Sequence, residues 1–144
     1  MTRPTTLIDT GPLVALIDKG DRENHRKCTT VFRSFKTPPI TTWPCLTEAL
    51  YFLGGIHGWH SQATLWRFVE RGALLLHNPQ ADEWRRVRAL MEQYRDTPMD
   101  LADASLVSLA ENTGLKRILT LDNDFYAYRI NGKDTFELIP LDSV

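Results

Sequence analysis

Cysteine is scarce in this chain. The two that occur, Cys28 and Cys45, form no pair at metal-ligand spacing and no disulfide framework. Each lies in a segment with helical patterning and reads as a packing residue. Long apolar runs are missing too: no stretch approaches the length that crosses a bilayer. The opening "MTRPTTLID" has no signal-peptide apolar core. These absences predict a cytoplasmic protein with reduced thiols and no membrane association. Excess charge of either sign is also lacking, since 17 Lys and Arg stand against 18 Asp and Glu. No global basic field advertises nucleic acid, so any attraction for it must be local. The four histidines, His25, His57, His60 and His77, belong to no motif and read as surface or satisfied residues.

What is present is a regular alternation. The 144 residues suit a single domain, 1–144, with a real core. Short apolar runs predict strands at Thr5–Asp9, Pro39–Thr42, Leu74–His77, Arg117–Leu121 and Phe136–Pro140. Between them, helical periodicity covers Gly11–Ile17, Arg22–Phe35, Pro44–Leu53, Ser61–Arg71, Ala81–Tyr94 and Met99–Asn112. That order predicts an α/β fold with a mostly parallel central sheet of about five strands, with helices on both faces. Ligands of such sheets bind outside the carboxyl ends of the strands. Asp9 and Asp122 fall at such ends. Glu48 follows the strand that ends near Thr42, and Asp103 lies near the start of the helix before "RILTL".

Each acid has a structural and a functional reading. Asp9 or Thr10 can cap the helix whose first turn holds Pro12, and Thr10 alone suffices for that. Glu48, in "TTWPCLTEALYFL", suits the dipole of an early helical turn but borders the apolar arc. In "TPMDLADASLVSLAENTG", Thr97 is the expected cap, Pro98 the first helical residue and Asp100 the third, an acidic capping box. Asp103 then lies too deep to cap. It falls inside an apolar arc with Leu106, Val107 and Leu109, where a free carboxylate is costly unless paired or bound to a cation. Asp122 and Asp124 flank Asn123 as an Asx turn or as metal ligands, with Asp122 closer to the strand. Several carboxylates and no Cys/His cluster suit a hard divalent cation, Mg²⁺ or Mn²⁺. Phosphodiester cleavage by metal-activated water is the chemistry that uses such a set.

The segments "LIDTGPLVALID", "TTWPCLTEALYFL", "DLADASLVSLAE" and "ILTLDNDFYAYR" together resemble a PIN-domain ribonuclease, specifically a VapC-type toxin of a bacterial toxin–antitoxin pair. The resemblance implies a three-layer PIN-like fold and a quartet of acids around Mg²⁺ or Mn²⁺: Asp9, Glu48, Asp103 and Asp122. It makes Thr10 a supporting residue and leaves Asp100 and Asp124 as extra acids that either bind a second metal or only cap and turn. It implies a metal-dependent endoribonuclease with an RNA substrate, a small antitoxin partner and a homodimer. Trp59, Trp66, Phe68, Tyr51 and Phe52, on adjacent helices, are the aromatic residues expected to expose an apolar face. Basic residues for RNA are available between Lys19 and Lys36, in "RRVR" at 85–88, and at Arg129 and Lys133. The alternative is a non-catalytic RNA- or protein-binding domain on the same fold. Aspartyl-phosphate chemistry fits less well: Gly11 stands where dehalogenase-like phosphatases place a second Asp, and no acids precede Asp9 as in response-regulator receivers.

Overall fold

Five two- or three-residue strands, all parallel, make the central sheet of the computed structural model, which describes residues 3–141. The ends of the expected 1–144 domain, residues 1–2 and 142–144, lie outside the described residues. The strands are β1 (Leu7–Ile8), β2 (Ile40–Thr41), β3 (Leu75–Leu76), β4 (Arg117–Leu119) and β7 (Glu137–Leu138), in the order β3-β2-β1-β4-β7. Leu7 pairs with Ile40 on one side and Ile118 on the other, so β1 is central. Leu7, Ile8, Ile118 and Leu119 are buried, as continuous apolar runs in a parallel sheet should be. A separate antiparallel pair, β5 (Arg129–Ile130) and β6 (Asp134–Thr135), was not anticipated from the sequence. It turns through Asn131 and Gly132, both at positive φ.

Six helices connect the strands: α1 (Thr10–Ala15), α2 (Arg22–Ser34), α3 (Trp43–His57), α4 (Trp59–Glu70), α5 (Glu83–Gln93) and α6 (Leu101–Thr113). From β1 the chain steps outward to β2 and β3, then returns across the sheet to β4 and continues to β7. By the right-handed rule the outward steps carry α1 to α4 over one face and the return carries α5 and α6 over the other; α1 packs on α2 and α3, α3 on α4, and α5 on α6. The reversal of direction falls between β1 and β4, so a crevice opens at their carboxyl ends. Asp9 N–H still donates to Leu119 O at 3.0 Å, which holds the two strand ends together there.

Local chemistry sets where the helices begin, and it corrects two expectations. Asp9, not Thr10, is the cap of α1, with its side chain accepting from Thr10 N. Helix α6 starts at Leu101 rather than near Pro98, with Asp100 as its cap and Asp103 as the reciprocating third residue. Gly11 falls in the expected helix. Its value is space, because an added Cβ would sit 3.3 Å from Leu121 Cδ1. The two Gly residues at 54 and 55 do not end α3, which runs on to His57 and stops at Gly58, φ 57°.

Glu111 fastens the second layer to the β5–β6 turn. Its carboxylate accepts from Arg86 Nε at 2.7 Å, Arg86 Nη2 at 2.9 Å and Asn131 N at 2.7 Å. Removing it leaves a half-buried guanidinium and a turn N–H without their acceptor. Glu111→Ala should lower unfolding stability by about 1–3 kcal/mol in urea titration, and an unchanged midpoint would show that the turn is held by other means.

Candidate active site

Asp9 is placed by β1 and buried to 6% exposure. An isolated carboxylate there would be intolerable, and the structure supplies it with donors. Thr10 N donates to Oδ1 at 2.7 Å, and Thr120 Oγ1 donates to Oδ2 at 2.7 Å. The same Thr120 hydroxyl accepts from Asp122 N at 3.0 Å, so one residue orients the first acid and anchors the backbone of another. Asp122 caps a 3₁₀ turn, Asn123–Tyr126, by accepting from Asp124 N at 2.8 Å.

Asp103 enters from α6, with 7% exposure. Its N–H donates to Asp100 Oδ1 at 2.8 Å, and its Oδ2 lies 3.4 Å from Asp100 N. It is therefore a capping residue as well as a carboxylate on an apolar face, contrary to the expectation that it lies too deep to cap. Tyr128, fully buried, reaches the same Oδ2 with its hydroxyl at 3.1 Å and also bonds Pro98 O. Phe125 and Tyr94 pack edge-on against the Tyr128 ring and fix its direction. Helices α3 and α6 are joined at their starts by Thr42 and Ser105, whose hydroxyls lie 2.6 Å apart.

Three of the four expected acids converge: one carboxylate oxygen from each of Asp9, Asp103 and Asp122 lies within 4.8 Å of the others. Glu48 lies outside that triad but lines the same cleft, of about 530 Å³, as do Thr10 and Asp100. Asp21, the cap of α2, also lines it and was not singled out in the sequence. Asp124 is not among the lining residues; its N–H closes the turn at Asp122. Thr120 and Tyr128 were missed as well. The signal for Thr120 was its position between the strand and Asp122, whereas Tyr128 had none short of the tertiary fold.

Among the described residues, six carboxylates line the cleft and no Lys, Arg or His does. Burial pushes the Asp9 carboxyl up to about 6, against the lowering effect of its bonds from Thr120 and Thr10, with Asp122 and Asp100 adding repulsion. Burial, then repulsion from Asp100 and Asp9, raises Asp103 to about 7. Asp122 and Glu48 are raised too, in each case chiefly by burial. Oxygen-only donors, partly desolvated and short of countercharge, fit a hard divalent cation held by Asp9, Asp103 and Asp122. No thiol competes as a nucleophile, because Cys45 beneath Asp9 is fully buried and its thiol is pushed up to about 12.

Fold and site together define an α/β protein with an acidic, cation-accepting crevice at the switch point of a parallel sheet. Residues 6–131 match the family model described as PIN domain, and the chain belongs to that family. It is similar to ribonuclease VapC26 of Mycobacterium tuberculosis, with 28% identity over 135 residues, covering 93% of this chain and 99% of the relative. Its fold matches the crystal structure of M. tuberculosis VapC20, a sarcin-ricin loop cleaving toxin, with a TM-score of 0.78 and 18% identity over 85% of this chain and 93% of the other. A toxin–antitoxin complex from Klebsiella pneumoniae gives a TM-score of 0.62 and 20% identity, covering 83% and 89%.

The raised carboxyls fix the sign of a pH effect. A group whose folded pKa is raised contributes stability that is present below its unfolded pKa and lost as pH rises through the folded value. For Asp9 and Asp103 the window runs from about 4 to about 7. In EDTA, Asp103→Asn should melt close to wild type at the acid end of that window and above it at the alkaline end. Differential scanning fluorimetry across the window measures this, and a gap that shrinks as pH rises would contradict it.

Proposed function

We propose that the chain is a divalent-metal-dependent endoribonuclease and the toxin of a toxin–antitoxin pair. The observation that carries this reading is the triad of carboxylate oxygens within 4.8 Å on a PIN domain. The named relatives, a ribonuclease and a sarcin-ricin loop cleaving toxin, support the substrate class. Mg²⁺ or Mn²⁺, when bound, would stabilise charge on the scissile phosphate and make the attacking water more acidic. Asp9, Asp103 and Asp122 would hold it, and the Thr120 and Tyr128 hydroxyls keep the Asp9 and Asp103 carboxylates aimed. Glu48, half-buried on the α3 wall of the cleft, would serve as the general base. Asp100 acts through Asp103 by bonding its N–H. An open cleft at a sheet edge suits single-stranded or looped RNA, where a phosphate is accessible.

Among the described residues, no helix is long and apolar enough to cross a membrane. The Klebsiella complex supports a cognate antitoxin as partner. For the homodimer, Tyr51 is 77% exposed, Phe52 50% and Trp59 69%, an apolar surface along α3 and the start of α4. Trp66 and Phe68, also expected there, pack instead against the core.

Purified protein should cleave cellular RNA with Mn²⁺ or Mg²⁺ and stop in EDTA. Asp9→Asn and Asp103→Asn should each lose at least about 100-fold in rate. Asp100→Asn keeps the helix cap, since Asn caps as well as Asp, and should fall by less than about tenfold. Undiminished cleavage in excess EDTA would end the metal reading. RNA binding without cleavage, equal in wild type and Asp9→Asn, would favour the non-catalytic alternative. Light scattering should give about twice the chain mass of 16.5 kDa, with Tyr51→Asp shifting it toward monomer; a monomeric wild type at micromolar concentration would remove the dimer.

A further inference from the structure

A crevice lined by carboxylates repels an RNA strand, so the attraction that holds the strand must come from its rim. Several cations of the chain are already compensated. Lys27 pairs with Glu23, Arg86 with Glu111, Arg88 with Glu92 and Lys116 with Asp134. Arg129 is different. Its Nη1 donates to Tyr126 O at 2.9 Å and to Tyr128 O at 3.1 Å, and its backbone N–H donates to Tyr94 Oη at 3.0 Å. Both acceptors of the guanidinium are neutral carbonyls, and among the described residues no carboxylate pairs with it. The charge is therefore fixed in place but not offset. Nη1 is engaged, which leaves Nε and Nη2, the edge that takes a phosphate through two parallel bonds.

A second feature stands beside this cation. Tyr126 is 63% exposed and closes the 3₁₀ turn Asn123–Tyr126 that Asp122 caps. Side chains three apart eclipse in a 3₁₀ helix, so Tyr126 stands in line with Asn123, which lines the crevice. At about 2.0 Å per residue the two lie about 6 Å apart along the axis. That is less than two stacked nucleotides at about 3.4 Å each. Phe125, next to Tyr126, is buried against Tyr128 and Phe136, which anchors the turn and leaves Tyr126 on its outer side. This edge follows β4, whereas Tyr51, Phe52 and Trp59 of the homodimer face belong to α3 and α4.

The Arg129 bond to Tyr126 O joins the two features into one unit, rigidly linked to Asp122. An exposed ring face accepts any unpaired nucleobase, and a guanidinium beside it takes the adjoining phosphate. Paired RNA keeps its base faces inside the helix and cannot use such a platform.

We propose that Tyr126 and Arg129 form the strand-holding edge of the acid crevice: the Tyr126 ring stacks on an unpaired nucleobase within two nucleotides of the scissile phosphate, and Arg129 takes a neighbouring backbone phosphate. This rests on the ribonuclease reading above.

The test is binding of a labelled single-stranded RNA of about 12 nucleotides, measured in EDTA so that it needs no cleavage. Tyr126→Ala should bind about tenfold more weakly than wild type, and Tyr126→Leu equally weakly, while Tyr126→Phe keeps affinity within about twofold. Arg129→Gln should reduce the log–log salt slope by roughly 0.7. Arg129→Lys should keep the slope but bind more weakly, because the two-bond edge is lost. A duplex of the same sequence should show no dependence on Tyr126. The proposal is overturned if wild type binds no single-stranded RNA, if Tyr126→Ala binds like wild type, or if Arg129→Gln leaves the slope unchanged. It is equally overturned if Tyr126→Leu retains affinity, which would mark an apolar contact and not a stack. Tyr126-dependent RNA binding by a wild type that cleaves nothing with Mn²⁺ would remove the ribonuclease reading and leave the edge. Cleavage by Tyr126→Ala at the wild-type KM would keep the ribonuclease reading and remove the edge.

Discussion

Mutual repulsion among carboxylates at the end of β1 and β4 is the constraint around which the molecule is arranged. A parallel sheet brings two strand ends within hydrogen-bonding distance, and here both strands lead into aspartates. Folding the apo chain forces Asp9, Asp103 and Asp122 together in surroundings that disfavour charge. Every neighbouring device limits that cost. Thr120 donates to one acid and receives the backbone N–H of another, Tyr128 meets the third, and the start of α6 turns Asp103 inward by pairing it with Asp100. Relief of that repulsion is one contribution a divalent cation would make on binding, so metal would stabilise the folded chain.

Much of this was visible in the chain itself. Apolar runs ending in acids at Asp9 and Asp122 announced the sheet edge, and all five predicted strands occur, though each is shorter than its apolar run. Periodicity finds buried segments, while pairing is confined to the residues where neighbours lie in register. The acids were legible for the same reason: a carboxylate within an apolar pattern conflicts with its surroundings, as Asp103 does.

Capping was harder to read. "TPMDLAD" offers Thr97, Asp100 and Asp103 as helix-start residues, and sequence spacing alone favoured Thr97. The structure begins α6 three residues later, with Asp103 both closing the cap and facing the crevice. Thr120 and Tyr128 show a different limit. Their bonds to Asp9 and Asp103 span 111 and 25 residues of chain; its place before Asp122 was the local mark of Thr120, and no local pattern marks Tyr128. Asp21 stands in a polar, charged run with no apolar pattern to conflict with, and it caps α2 as well as lining the crevice.

Cys45 lies directly under the first acid, its sulfur 3.9 Å from Asp9 Oδ1. Burial and the neighbouring carboxylate keep it protonated, and Cys28 is likewise buried with its thiol raised to about 11. Oxidants and alkylating agents attack the thiolate, a form neither residue offers to solvent. Neither cysteine therefore gives peroxide or glutathione an accessible thiolate beside the crevice.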